Sequence, residues 1–305
     1  PYVVERPLQP GDPFFGRERD FAWVREELQA GTRVLIITGP RRIGKTSFLH
    51  HLPQHLPTGY ALIYYPAPGG GMASGAELLW DTAAAIAHAL RSEHGLALPE
   101  PRQETFTADP VAAWEDFLET IGVSDIPGVL LLAVDDFQRL MAHPGADVWA
   151  EALAYSLLHP RQLRLLLVTN EAPPYLSERF PRLLADMISR RLGPLDNEAA
   201  LALVRQPVAD RITYDPVAAR RILTYTGNHP YFLQLFCQHL INCCQRDGEV
   251  SLPEVEKARG HLLEQPIISF QETWRTATQR EQAVLAVLGK LRGEHGVFTL
   301  SLIHI

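Results

Sequence analysis

The stretch TGPRRIGKTSF, residues 38–48, decides the fold. Gly39, Gly44, Lys45 and Thr46 stand at the spacing G-x-x-x-x-G-K followed by Thr, directly after the apolar run VLIIT at 34–38. A protein that takes a phosphate chain out of water must supply many donors and few bulky side chains around it. Glycines let the backbone fold tightly so that successive N–H groups face the anion, Lys45 adds a point charge, and Thr46 offers a hydroxyl for Mg²⁺. The strand before the loop and the helical TSFLHHL after it give the context this chemistry requires. The spacing therefore predicts that Gly39, Pro40, Arg41, Arg42, Ile43, Gly44, Lys45, Thr46 and Ser47 cradle a nucleotide, ATP or ADP, with Mg²⁺.

Moving outward, runs rich in Val, Ile and Leu recur at 34–38, 61–65, 129–134 and 164–168, separated by segments of helical period. Such runs predict a mostly parallel sheet buried on both faces, hence an α/β domain flanked by helices. Leu78, Leu79, Ala83, Ile86, Ala87 and Leu90 keep a 3.6-residue stripe, as do Trp114, Phe117, Leu118 and Ile121. Core packing accounts for both. The stretch PAPGGGMASG, 66–75, has no lysine and helix start beside it and reads as a connection, not a second phosphate loop.

A Mg-nucleotide site in this architecture needs an acid at the end of a neighbouring strand. VLLLAVDDF, 129–137, provides Asp135 for Mg²⁺ coordination through water and Asp136 to orient or deprotonate the attacking water. Alone, two aspartates there could merely cap a turn; the upstream loop turns the reading toward catalysis. The run LRLLLVTN ends at Asn170, where ligand-facing residues of a parallel sheet lie, so Asn170 is a candidate for the γ-phosphate or the water. An ordinary strand-end turn is its bland alternative. No Asn/Thr-Lys-x-Asp guanine-reading motif is present, so adenine is the expected base.

After GPLDNEAA, 193–200, strands give way to consecutive helical patterns. Asp196 is placed to cap a helix from Asn197, and Ser251/Glu254 and Thr278/Glu281 have capping-box spacing. The expected domains are 1–195 for nucleotide binding, 196–265 for an all-α unit and 266–305 for the start of a further domain. GEHGVFTLSLI reads as a turn into a strand, and the chain is expected to be a piece of something longer.

At 305 residues with 46% hydrophobic and 21% charged residues, the composition is that of an ordinary globular protein. A formal charge of -7 advertises no general polyanion surface, so nucleic acid is not the favoured partner. Cys237, Cys243 and Cys244 lie close together without a C-x-x-C pair, which reads as reduced thiols in a cytoplasmic protein. The apolar runs are too short to span a bilayer, and no membrane association is expected.

FFGRERDF (14–21), GPRRIGKTS (39–47), LLLAVDDF (130–137), LGPLDNEAALALVRQPV (192–208) and TGNHPYFLQLFCQHL (226–240) together resemble the STAND class of AAA-like P-loop ATPases, in the branch close to the Orc/Cdc6-like ATPases. The resemblance implies an all-α lid after the core and a winged-helix start at the C-terminus. It places Phe15, Gly16 and Arg17 at the nucleotide pocket. It also maps the lid's G-x-P signature onto Asn228, His229 and Pro230, with Asn228 where the family has glycine; His229 and Pro230 are nucleotide contacts on this mapping. An aspartate at 136, where fast relatives use glutamate, implies slow turnover. Arg190 and Arg191, ahead of an expected last strand, are open to two readings: a charge for a neighbouring subunit's phosphate, or solvation of a helix end.

The resemblance implies a nucleotide-operated switch in signal transduction. It would hold ADP at rest, form a homo-oligomer with ATP, and control other domains of the longer chain. Two alternatives remain open at this point: an Orc/Cdc6-like DNA-associated AAA+ ATPase, and a non-catalytic scaffold that keeps ADP.

Overall fold

The computed structural model describes residues 2–70, 74–123, 128–158, 163–244 and 248–264, with a few more between 274 and 287. The chain divides into two compact units: one of residues 18–41 and 45–192, the other of 1–17, 42–44 and 193 onward. The C-terminal strand, the Glu281 cap and most of the further domain expected at 266–305 lie outside the described residues, as do residues 71–73 of the glycine-rich connection.

The first unit runs α1 (Glu18–Gln29), β1 (Val34–Thr38), α2 (Lys45–His51), β2 (Tyr60–Pro66), α3 (Gly75–His94), α4 (Gln103–Ala108), α5 (Pro110–Val123), β3 (Val129–Asp135), α6 (Phe137–Met141), α7 (Ala146–Leu158), β4 (Leu163–Thr169), α8 (Pro173–Arg179) and β5 (Ile188–Arg191). The strands form one five-stranded sheet in the order β2-β3-β4-β1-β5, with every pairing parallel. Four of them are the expected apolar runs, extended by a residue or so. The fifth, ISRR, is mostly exposed, so no apolar run announces it. Arg190 and Arg191 thus lie within the last strand rather than before it.

β1 is buried at all its positions and β3 at all but its first, as strands covered on both faces must be. All six stripe residues of α3 are buried, and all but Ala87 belong to the sheet's core cluster. The two large indoles of that core keep their donors satisfied: Trp114 Nε1 donates to Ser156 Oγ at 2.8 Å and Trp149 Nε1 to Thr82 Oγ1 at 3.0 Å.

The second unit holds α9 (Asn197–Arg205), β6 (Ile212–Tyr214), α10 (Pro216–Thr226), α11 (Pro230–Cys244), β7 (Gly248–Val250) and α12 (Leu252–Glu264). The expectation of an all-α unit needs one correction: β6 and β7 pair as a small parallel sheet. Strands of three residues are too short to show a period of two in the sequence. The caps form where their spacing predicts: Asp196 accepts from the Ala199 N–H at 2.8 Å, and Glu254 takes the Ser251 N–H and Oγ–H, both at 2.8 Å. Tyr2 is buried in this unit's core, its hydroxyl donating to the Val204 carbonyl at 2.6 Å.

Candidate nucleotide site

Parallel strands end on a common edge, so β1, β3 and β4 deliver their last residues to one place: Thr38 is in register with Thr169, and Pro66 with Asp135. The loop 39–44 leaves β1 there and leads into α2. Gly44 has φ +97°, a conformation open to glycine at little cost, and Arg42 is also left-handed at φ 62°. Lys45, the first residue of α2, is only 9% exposed. Its Nζ donates to the carbonyls of Gly39 at 2.8 Å and Pro40 at 3.0 Å, so the ammonium is held by the loop itself. Burial lowers its pKa; Asp136 and Asp135 counteract this, and Arg41 adds to it.

Asp135, 5% exposed, closes β3. Its Oδ2 accepts from Thr46 Oγ1 at 2.7 Å and from Tyr64 Oη at 3.1 Å, and its Oδ1 accepts from the Asp136 N–H at 3.0 Å. This brings the two expected metal-binding residues together. A hydroxyl and a buried carboxylate are hard oxygen donors, the chemistry Mg²⁺ selects, so the residues present fit that ion. Tyr64 was not among the sequence candidates. It sits on β2 opposite Ala133, two residues before Asp135, a proximity that only the strand register creates. Burial, and then the charge of Asp135, raise the Tyr64 pKa, so its hydroxyl remains a donor. The His50 ring meets the Tyr64 ring edge-on at 5.2 Å.

Asp136 differs from its neighbour. It adopts a left-handed backbone (φ 54°, ψ 42°) at the start of α6, and its side chain is 47% exposed. Gln138 Nε2 donates to its Oδ1 at 2.8 Å, and Arg139 Nε lies 3.7 Å from its Oδ2. The two carboxylates are therefore separated by environment, one buried under three donors and one facing solvent. Asn170 is exposed, one residue beyond the Thr169–Thr38 pair, while Thr169 itself is buried and accepts the Glu171 N–H on Oγ1 at 3.1 Å.

The residues assigned by resemblance fall in the second unit. Gly16 has φ +71°, and a Cβ there would stand 2.9 Å from Ala199 Cβ, so both backbone and space demand glycine. Phe15 packs partly buried on that unit's core, and Arg17 Nη2 donates to the Ile43 carbonyl at 3.2 Å. The Arg42 guanidinium lies 4.4 Å over the Tyr231 ring. Asn228 takes the left-handed conformation (φ 59°) directly after Gly227 (φ 58°), and its carbonyl accepts the Leu195 N–H at 3.0 Å. His229 is buried against Phe232, ring centroids 4.7 Å apart, and Pro230 opens α11. In the first unit Arg190 is engaged within the chain, its Nε 2.6 Å from Asp20 Oδ1 and its guanidinium 5.7 Å over Trp23.

A parallel sheet with a Gly-x4-Gly-Lys-Thr loop after one strand, and an aspartate on its threonine from another, defines a P-loop nucleoside triphosphatase domain. Residues 28–176 match the family described as AAA domain, so the chain carries an AAA-type P-loop ATPase domain. It is similar in structure to the Walker-type ATPase PABY2304 of Pyrococcus abyssi, with a TM-score of 0.65 at 16% identity over 90% of this chain and 80% of that one. It is also similar to Aeropyrum pernix Orc1 in complex with DNA (TM-score 0.52, 16% identity, 93% and 74% of the two chains). A third likeness is the Thermotoga maritima RuvB Holliday junction branch migration motor (TM-score 0.50, 15% identity, 85% and 74%). At such identities these likenesses speak to the fold alone. A comparison with curated protein sequences gave no significant match. No helix among the described residues is long and apolar enough to cross a membrane.

Proposed function

We propose that the chain is a slow Mg²⁺-dependent ATPase of the Orc/Cdc6-like kind whose nucleotide state controls its associations, including that with DNA. The observation that carries the ATPase chemistry is the pairing of half-buried Thr46 with buried Asp135, 2.7 Å apart, beside buried Lys45. When a triphosphate binds, Lys45 exchanges the Gly39 and Pro40 carbonyls for phosphate oxygens. Thr46 and Asp135 hold Mg²⁺, which supplies charge neutralisation at the phosphates when bound. Asp136, kept exposed and oriented by Gln138, positions the attacking water and accepts its proton; Asn170 contacts the γ-phosphate. By the same resemblance Phe15, Gly16, Arg17, His229 and Pro230 remain candidates for nucleotide contact.

One of the similar structures, Orc1, is a complex with DNA, which supports the Orc/Cdc6-like reading over the STAND class. The net charge of -7 favours a second reading, a self-associating switch that forms a homo-oligomer with ATP. The test is ATP hydrolysis by the purified chain, with Lys45→Ala as control, with and without duplex DNA at two salt concentrations. DNA-stimulated turnover that falls steeply with salt is the expected result. Turnover indifferent to DNA but accompanied by ATP-dependent oligomers in light scattering would transfer the assignment to the switch. A chain that neither holds nucleotide on purification nor binds added Mg-ATP would overturn both.

A further inference from the structure

The helical unit brings together three side chains that the nucleotide site does not use. His239 and Cys243 are four residues apart on α11 and therefore share one face, with Cys243 Sγ 3.4 Å from His239 Nε2. His261, in the last turn of α12, adds a third donor, and the three ligand atoms all lie within 4.8 Å of one another. One sulfur and two imidazole nitrogens are the borderline-soft set that Zn²⁺ prefers over the hard-oxygen ions. With Zn–S near 2.3 Å and Zn–N near 2.05 Å, tetrahedral geometry spaces ligand atoms by about 3.3–3.6 Å. The Cys243–His239 pair already has that spacing, and the ligand atom of the exposed His261 lies within 4.8 Å of both. Cys243 and His261 are exposed and His239 is half-buried, so an ion can reach the cluster from solvent.

We propose that His239, Cys243 and His261 form a zinc site that clips the end of α11 to α12, with water in the fourth position. Cys237, by contrast, is fully buried in the core of the same unit and out of reach of solvent ions. The site is independent of the nucleotide chemistry, whose donors are oxygen and lysine nitrogen.

The experiment uses the whole chain, reduced, freed of metal by chelator and dialysed, and titrates it with Co²⁺ as a spectroscopic stand-in for zinc. The expected result is a thiolate-to-cobalt charge-transfer band with the intense visible bands of four-coordinate cobalt. The signal saturates at one equivalent and is abolished by one equivalent of Zn²⁺. Cys243→Ser should remove the charge-transfer band. His261→Asn should weaken Co²⁺ binding by at least about tenfold, because even partners of metal ligands contribute that much. Zn²⁺ should raise the melting temperature of the wild type and not that of Cys243→Ser. Circular dichroism confirms that each variant folds, and His261→Asn serves if Cys243→Ser does not. Absence of the charge-transfer band in the wild type, or its survival in Cys243→Ser, would overturn the site, as would His261→Asn binding Co²⁺ like the wild type.

Discussion

Replacing Lys45 by alanine tests the nucleotide site most directly, and its magnitude follows from the two bonds the ammonium makes. Nζ holds neutral carbonyls at 2.8 and 3.0 Å, and a bound triphosphate substitutes charged oxygens for them. Hydrogen bonds involving charged groups contribute about 1.5–3 kcal/mol each, against about 1 kcal/mol for ordinary ones. Two exchanged bonds, with some charge attraction screened by Mg²⁺, give about 2–4 kcal/mol, or roughly 30- to 900-fold in Kd for Mg-ATP. The nucleotide-free protein should change little. Losing the bonds to Gly39 and Pro40 costs stability, while removing a buried cation restores it, so the melting temperature is expected to shift by less than about 5 °C. Isothermal calorimetry gives the affinity and a thermal melt the stability. A variant that stays folded and binds Mg-ATP within about threefold of the wild type would refute the assignment of Lys45 to the phosphates.

The lowered Lys45 pKa has a pH signature. Between the folded value and the higher unfolded one, the unfolded chain binds more protons, so stability relative to Lys45→Met should rise with pH just below the ordinary lysine range. Mg-ATP affinity should fall over the same window, because the phosphates need the ammonium; urea titrations and calorimetry at several alkaline pH values check both. Asp136→Asn keeps the left-handed tolerance of the site and removes the base, so turnover should drop about 100-fold or more with ATP affinity unchanged, measured by phosphate release. Gly16→Ala combines a left-handed backbone with a 2.9 Å approach to Ala199 Cβ, and should destabilise by about 2–4 kcal/mol in urea unfolding. Arg190→Ala breaks a partly exposed pair with Asp20 and should cost no more than about 1 kcal/mol while leaving phosphate release intact. Loss of turnover with retained binding would instead mean that Arg190 serves a neighbouring subunit's phosphate.

The sheet was legible because strands buried on both faces must be apolar throughout, so VLIIT, VLLLAV and RLLLV declare themselves without reference to partners. The phosphate loop was legible for a related reason: its donors are consecutive backbone groups, and the glycines and lysine that shape it are neighbours in the chain. Helix caps such as Asp196 and the Ser251/Glu254 box span only three residues and could be read the same way. β5 was expected only beyond Arg191, because an exposed edge strand carries no apolar run to fix its place, and β6 and β7 escaped because three residues cannot display a period. Tyr64 on Asp135, Arg190 on Asp20, Tyr2 in the core of a unit whose helices begin near residue 197, and His261 beside Cys243 are pairings between residues far apart in the chain. Composition and spacing carry no information about such pairs, because register and helix packing alone bring them within bonding distance. What the sequence determined by itself was the local pattern of a phosphate loop; tertiary structure decided which side chains surround Thr46 and Asp135 and which lie together elsewhere, since long-range contacts exist only once the chain has folded.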